Sequence, residues 1–69
     1  MFNKTKFKAA MILAGKTQKD LADALNINTA TLYRKVNGAS EFTLEEIRIL
    51  CEELNLDSPM DIFFSSEIA

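Results

Sequence analysis

The sequence predicts an all-α fold of five short helices, in a single domain that spans residues 1–69. Apolar residues recur at intervals of three and four, polar capping residues precede the predicted helices, and no segment alternates apolar and polar residues as a half-buried strand would. A chain of 69 residues has room for one small core, so nearly every apolar position should contribute to it.

The first predicted helix runs from Lys4 to Ala14 and carries an apolar stripe that includes Phe7 and Met11. Gly15 ends it, because glycine accepts the left-handed backbone that commonly closes a helix. The second runs from about Gln18 to Leu25, after Thr17, whose hydroxyl suits an N-cap.

A tight turn at Asn26 and Ile27 separates the second helix from the third, since asparagine tolerates a left-handed backbone. The third helix runs from Thr29 to Val36, is capped by Asn28 and closes at Asn37-Gly38.

The fourth helix begins after Thr43, which forms a capping box with Glu46, while Phe42 can pack on Ile47. Ser58 and Pro59 predict the start of a last short helix, because serine caps helices and proline suits the first helical position. One face of the fourth helix is predicted to be apolar and consists of Leu44, Ile47, Leu50, Cys51 and Leu54.

The charge is distributed unevenly, although the net charge is only −2. Through Gly38 there are seven basic residues against two acidic ones, a balance of +5, and from Ala39 onward one basic against eight acidic, a balance of −7. This polarity favours a surface for a polyanion in the first half of the chain. The alternative is that both charge runs are simply solvated surfaces.

Several function classes are excluded by composition. The chain has no histidine and one cysteine, Cys51, so we expect no disulfide within the chain, no metal, no cofactor and no enzymatic activity. Cys51 itself is expected to be a small core residue rather than a reactive thiol. Without a membrane-spanning run or a signal peptide, the expected location is the cytoplasm.

The segment at residues 17–38, TQKDLADALNINTATLYRKVNG, has the spacing of a helix-turn-helix. Ala22 is small where the two helices must nearly touch, and Asn26 occupies the turn. Two helices held crosswise in this way can present the second one to the DNA major groove. The apolar residues that fix their angle are Leu21, Leu25, Ile27 and Leu32.

This segment resembles the Cro/repressor (XRE-like) family, whose usual pattern is T-Q-x-x-L-A-x-x-L-G-[IV]-S-x-x-T-[IL]-S-x-x-x-N-G. The resemblance extends from about Lys4 to Phe64, and the ending looks most like small Cro-like proteins of phages infecting Gram-positive bacteria. It implies a compact lambda-repressor-like domain whose partner is a double-stranded DNA operator. Asn26 and Asn28 replace the family's turn glycine and capping serine, and both keep the backbone chemistry.

Geometry and resemblance together identify three residues that would contact bases. Thr29 and Ala30 lie in the first exposed turn of the recognition helix, where their methyl groups can contact thymine. Arg34, one turn on, can form a bidentate contact with guanine, or alternatively hold a phosphate.

A second set would contact the DNA backbone. By resemblance Gln18 clamps a phosphate at the positive end of its helix. Tyr33 could donate its hydroxyl to a phosphate or instead cover the junction with the fourth helix, and Arg48 is expected to pair with nearby glutamates. Lys4, Lys6 and Lys8 add diffuse attraction. The predicted backbone contacts are Gln18, Lys16, Lys19, Asn28, Thr31, Tyr33, Lys35, Asn37 and the N–H of Gly38.

The sequence therefore predicts a transcriptional regulator, a Cro-like repressor of operator half-sites. The alternative is a protein-binding anti-repressor or antitoxin-like module that uses its acidic half, with a co-encoded repressor as partner. Because one recognition helix covers few base pairs, we expect a weak homodimer that assembles on DNA with two-fold symmetry. Its contact is predicted at residues 39–42 and Pro59 to Phe64, unless Ile62 and Phe63 serve the domain's own core.

Overall fold

A computed structural model describes residues 2–64 of the chain. Within this range the backbone is helical, with no strand, as the sequence predicts. The first three helices have the predicted bounds. The described helices are α1 Lys4–Ala14, α2 Gln18–Leu25, α3 Thr29–Val36, α4 Leu44–Glu53 and α5 Met60–Phe63.

Polar side chains cap the first four helices: Thr17, Asn28 and Thr43 do so as predicted, and Asn3, which was not predicted, caps α1. The Thr17 hydroxyl accepts the Asp20 N–H at 3.1 Å, and the Asp20 carboxylate accepts the Thr17 N–H at 2.9 Å. Thr43 and Glu46 form the same reciprocal pair before α4, at 3.1 and 2.8 Å. These pairs satisfy donors that a helix start leaves unpaired, so both capping predictions are confirmed.

The turns also follow the predicted chemistry. Gly15 ends α1 with a φ of 68°, and Asn26 ends α2 with a φ of 59°, so both adopt the left-handed conformation. After Asn26, the Ile27 N–H donates to the Ala22 carbonyl at 3.0 Å. Asparagine therefore adopts in this turn the left-handed conformation that glycine commonly supplies.

One core joins all five helices. Its centre is formed by Phe7, Leu21, Leu32 and Leu50, which are fully buried. Ile62 and Phe63 of α5 are also buried in it, so they belong to the domain's own core and are unavailable for the predicted dimer contact. The remaining buried apolar residues are Ala10, Met11, Ala22, Leu25, Val36, Ile47 and Leu54.

An aromatic cluster ties the N-terminal segment to the end of the described chain. Phe2 lies 5.2 to 5.6 Å, between ring centroids, from Phe7, Phe42 and Phe63. The Asn3 N–H donates to the Ile62 carbonyl at 2.6 Å. Phe2 precedes the first helix, so helical periodicity does not reveal its role.

The structure corrects two predictions. Leu44 is predicted on the apolar face of α4 but is 79% exposed. It lies two turns before Cys51 on the same side of the helix, and Cys51 is only half-buried, so this side is the flank of the apolar face. The last helix begins one residue late: Pro59 is its N-cap, and the Ser58 hydroxyl accepts the Met60 N–H at 3.2 Å.

No helix in the described range has the length and apolar character needed to cross a bilayer.

Candidate nucleic-acid interface

The α2 and α3 helices pack closely through small and aliphatic residues. Ala22 is almost completely buried where they meet, beside Leu21. On α3, Leu32 and Val36 face the core, four residues apart. Because these two residues use the inner side of α3, its opposite side points outward.

The outward side of α3 carries three residues predicted to contact bases. Thr29, Ala30 and Arg34 are all exposed. Ala30 and Arg34 lie one turn apart on the side away from Leu32 and Val36, and Thr29 is the first residue of the helix. Tyr33 lies on the same face and is 57% exposed, so most of its surface faces solvent instead of the junction with α4. The structure therefore brings two hydroxyls, a methyl group and a guanidinium together on one exposed surface.

Arg34 and Arg48 differ in their partners. Arg34 Nη2 donates to the Thr31 hydroxyl at 3.4 Å, and no carboxylate among residues 2–64 pairs with it. Arg48 pairs with Glu45 and also donates to Glu52 at 3.0 Å, which confirms the predicted ion pairs. Of these two arginines, Arg34 is the one whose guanidinium fork has no carboxylate partner within the described range and can receive an incoming anion.

The start of α2 offers backbone donors. Since Thr17 takes the Asp20 N–H, the two preceding amides, those of Gln18 and Lys19, lie at the open end of the helix, where an anion is favoured. The hydrogen bond from the Thr17 N–H lowers the pKa of Asp20, whose carboxylate therefore stays charged and holds the cap.

The lysines near α2 have exposed or half-exposed partners. Lys16 lies 3.4 Å from Glu53, and Lys19 lies 3.2 Å from Asp23. Such surface pairs contribute little to stability, so a phosphate can replace the carboxylate at small cost. These pairs therefore leave both lysines available to an incoming anion.

Asn28 mainly organises the start of α3. Its side-chain oxygen accepts the Thr31 N–H at 2.7 Å, so only its amide NH₂ group remains available as a donor to a phosphate. Thr31 is half-buried, and its hydroxyl already accepts from Arg34.

Lys35 does not fit the predicted phosphate contact. Its Nζ donates to the Glu46 carboxylate at 3.0 Å and to the Glu41 carbonyl at 3.1 Å, and its side chain is only 13% exposed. The ammonium therefore points toward α4 and joins the end of the recognition helix to the start of α4. Partial burial alone would raise the pKa of Glu46, but hydrogen bonds from the Thr43 N–H and from Lys35 outweigh it, and this pKa lies below its ordinary value.

The loop after α3 also differs from the prediction in part. The Gly38 N–H donates to the Lys35 carbonyl at 3.2 Å, so this amide is already used inside the protein. Asn37 is exposed, and its side-chain oxygen accepts from Lys4 Nζ at 2.6 Å. This contact places Lys4, expected only to add diffuse attraction, directly beside the loop, although 33 residues separate the pair.

Helices α2 and α3, joined by the left-handed turn at Asn26, define a helix-turn-helix domain, in which α3 has the position of the recognition helix. Within that class, the family model of the Cro/C1-type HTH DNA-binding domain matches residues 6–63, and the chain belongs to this family. Families of this kind are typically non-enzymatic. No curated protein matches the chain, and no solved structure does.

Proposed function

We propose that this protein is a sequence-specific transcriptional regulator, a phage Cro-like repressor that occupies operator half-sites and blocks polymerase or a competing repressor. The observation that carries the proposal is the outward face of α3, where Arg34 has no carboxylate partner within residues 2–64. The phage assignment rests on the resemblance of the chain's ending to small Cro-like proteins.

In the proposed complex α3 lies in the major groove. Arg34 donates both arms of its guanidinium to guanine O6 and N7, a contact worth about 1–3 kcal/mol against a wrong base. The methyl groups of Thr29 and Ala30 contact thymine, which contributes less because both side chains are small.

The duplex backbone is held at both ends of the motif. Gln18 and Lys19 offer their backbone N–H groups to one phosphate. Lys4 and Asn37, which contact each other, offer side-chain donors to another phosphate. Lys35 acts differently: it positions α3 against α4. The further proposed backbone contacts are Lys16, Asn28, Thr31 and Tyr33.

Two copies of the chain occupy the operator in this proposal, as a weak homodimer formed on DNA. One recognition helix contacts too few base pairs for selective binding among a genome's competing sites. Because Ile62 and Phe63 are buried, the apolar residues available to a second copy near the end of the described chain are Met60 and Phe64, together with Leu44.

A gel-shift series tests the proposal. Duplexes from the protein's own regulatory region are incubated with the purified chain and excess competitor DNA, at several salt concentrations. We expect retention of one duplex, with affinity that falls steeply with salt because each neutralised phosphate releases about 0.9 counterion on B-DNA. If the slope of log affinity against log salt concentration is near zero, or if the chain binds only to a co-encoded repressor protein, the protein-binding alternative is correct instead.

A further inference from the structure

The outer face of α1 carries two aliphatic side chains that the core does not use. Ile12 is 79% exposed and Leu13 is 89% exposed. Helical spacing places Lys8 one turn before Ile12 and Lys6 two turns before Leu13. The small Ala9 lies between these two rows of residues. We call these five residues the α1 outer face.

The charged residues of the α1 outer face are both basic. The helix contains no acidic residue, and within the described range neither Lys6 nor Lys8 has a carboxylate partner. DNA contact can account for lysines but not for adjacent exposed aliphatic residues, which have no apolar surface to meet on a phosphate backbone. An apolar and acidic surface is the complement of this face.

The same chain carries such a surface. A groove of about 430 Å³ lies between α4 and the segment that leads to α5, and Leu44, Arg48, Cys51, Glu52, Leu56 and Phe64 are among the residues that line it. We call it the α4–α5 groove.

The surroundings of the α4–α5 groove are acidic. Its one lining cation, Arg48, is neutralised by Glu45 and Glu52. Asp57 and Asp61, which flank Pro59 in sequence, are exposed.

We propose that a second copy of the chain docks head to tail, with the α1 outer face of one copy in the α4–α5 groove of the next. Ile12 and Leu13 then meet Leu44 and Phe64, while the lysines lie near carboxylates. Two identical grooves facing each other would instead bring like charges together, as would two α1 outer faces, and like-charge juxtaposition disfavours both.

The head-to-tail contact has a different symmetry from the two-fold pair expected from sequence. A heterologous contact that does not close into a ring leaves one surface free on each end copy, so copies can add along a duplex and prefer half-sites in direct repeat. This consequence for the operator rests on the proposed function, whereas the contact itself does not require DNA. The surface is small, so we expect weak association, detectable at about 1 mM protein.

Two variants separate the surfaces. Ile12→Gln/Leu13→Gln removes the apolar side chains of the α1 outer face and leaves the α4–α5 groove intact. Leu44→Gln/Phe64→Gln removes apolar side chains of the groove and leaves the α1 outer face intact. Ile12, Leu13 and Leu44 are largely exposed and Phe64 is 43% exposed, so both variants should keep the core, which their amide spectra report directly.

The measurement is an amide chemical-shift titration without DNA. With ¹⁵N-labelled Leu44→Gln/Phe64→Gln protein, we expect shifts at residues 9–13 on addition of the unlabelled Ile12→Gln/Leu13→Gln variant, and none on addition of its own unlabelled form. The shifts should diminish in about 0.5 M salt, because screening weakens the charge complementarity.

Two results would overturn the proposal. The first is the absence of shifts in every mixture and in concentrated wild-type protein. The second is self-association of either variant through its own remaining surface, which would indicate a two-fold contact. Because no DNA is present, either result leaves the proposed DNA-binding function to its own test.

Discussion

The outward faces of α3 and α4 each carry an arginine, but their surroundings differ. Around Arg34 the face of α3 offers hydroxyls and a methyl group, with no carboxylate partner within residues 2–64. Around Arg48 the face of α4 supplies two glutamates at helical spacing. The charge of Arg48 is therefore balanced within α4, whereas that of Arg34 is left for a ligand.

The two helices therefore have different roles within one small domain: the face of α3 is available to a ligand, and α4 holds α3 in place. The two faces share a core, and Lys35 with Glu46 fixes one helix against the other. The uneven charge of the sequence is reflected in the structure, since within residues 2–64 the carboxylates of the second half that form ion pairs do so with Lys16, Lys35 and Arg48 and not with Arg34.

The largest expected effect distinguishes the two faces of α4. Leu50→Ala should lower the free energy of unfolding by about 2–5 kcal/mol, since Leu50 is fully buried and its removal leaves a cavity. Leu44→Ala, on the same helix, is the matched control and should change it by no more than about 0.5 kcal/mol. Urea denaturation measures the free energy of unfolding of both variants. Equal losses in the two would mean that Leu44 is buried as Leu50 is, which would contradict the assignment of the outward face of α4.

A smaller effect is expected at the link between the two helices. Lys35→Ala should cost about 1–3 kcal/mol of unfolding free energy, because it leaves the partly buried Glu46 without its charged donor. Lys19→Ala removes an exposed pair with Asp23 and should cost less than about 1 kcal/mol. Thermal unfolding of the two variants side by side gives the comparison, and a larger loss for Lys19→Ala would contradict the positioning role of Lys35.

Local features of this fold could be predicted from sequence because their causes are local. The capping boxes at Thr17 and Thr43 and the left-handed turn at Asn26 each depend on residues at most five positions apart. Periodicity could not show that Leu44 lies beyond the edge of the core, since that depends on what packs beside α4.

Only part of the candidate site could likewise be predicted from sequence. The outward residues of α3 follow from helical spacing, whereas the partners of Lys35 and of Asn37 lie 11 and 33 residues away and follow only from the tertiary fold. Those two contacts change the role of Lys35 and bring Lys4 to the loop.

The smallest expected effect is a pH dependence at Glu46. Its pKa is lower in the folded protein than the ordinary value of 4.5, so the stability it contributes is present above that value and is lost as the pH falls through the folded pKa. The stability difference between wild type and Glu46→Gln should therefore shrink on acidification. Unfolding curves near neutral pH and at about pH 3 measure it, and a difference that grows at low pH would reverse the assigned sign.

The most direct test of the central claim, that α3 reads DNA sequence through its outward face, is selection of preferred duplexes from a random pool by wild type, Arg34→Ala and Arg48→Ala. We predict that Arg34→Ala loses about 1–3 kcal/mol of discrimination at one base position while the other positions keep their preference. Arg48→Ala should select the same sequences as wild type. If Arg34→Ala weakened all sequences alike, or if both variants changed the selected base, the outward face of α3 would not be the reading surface.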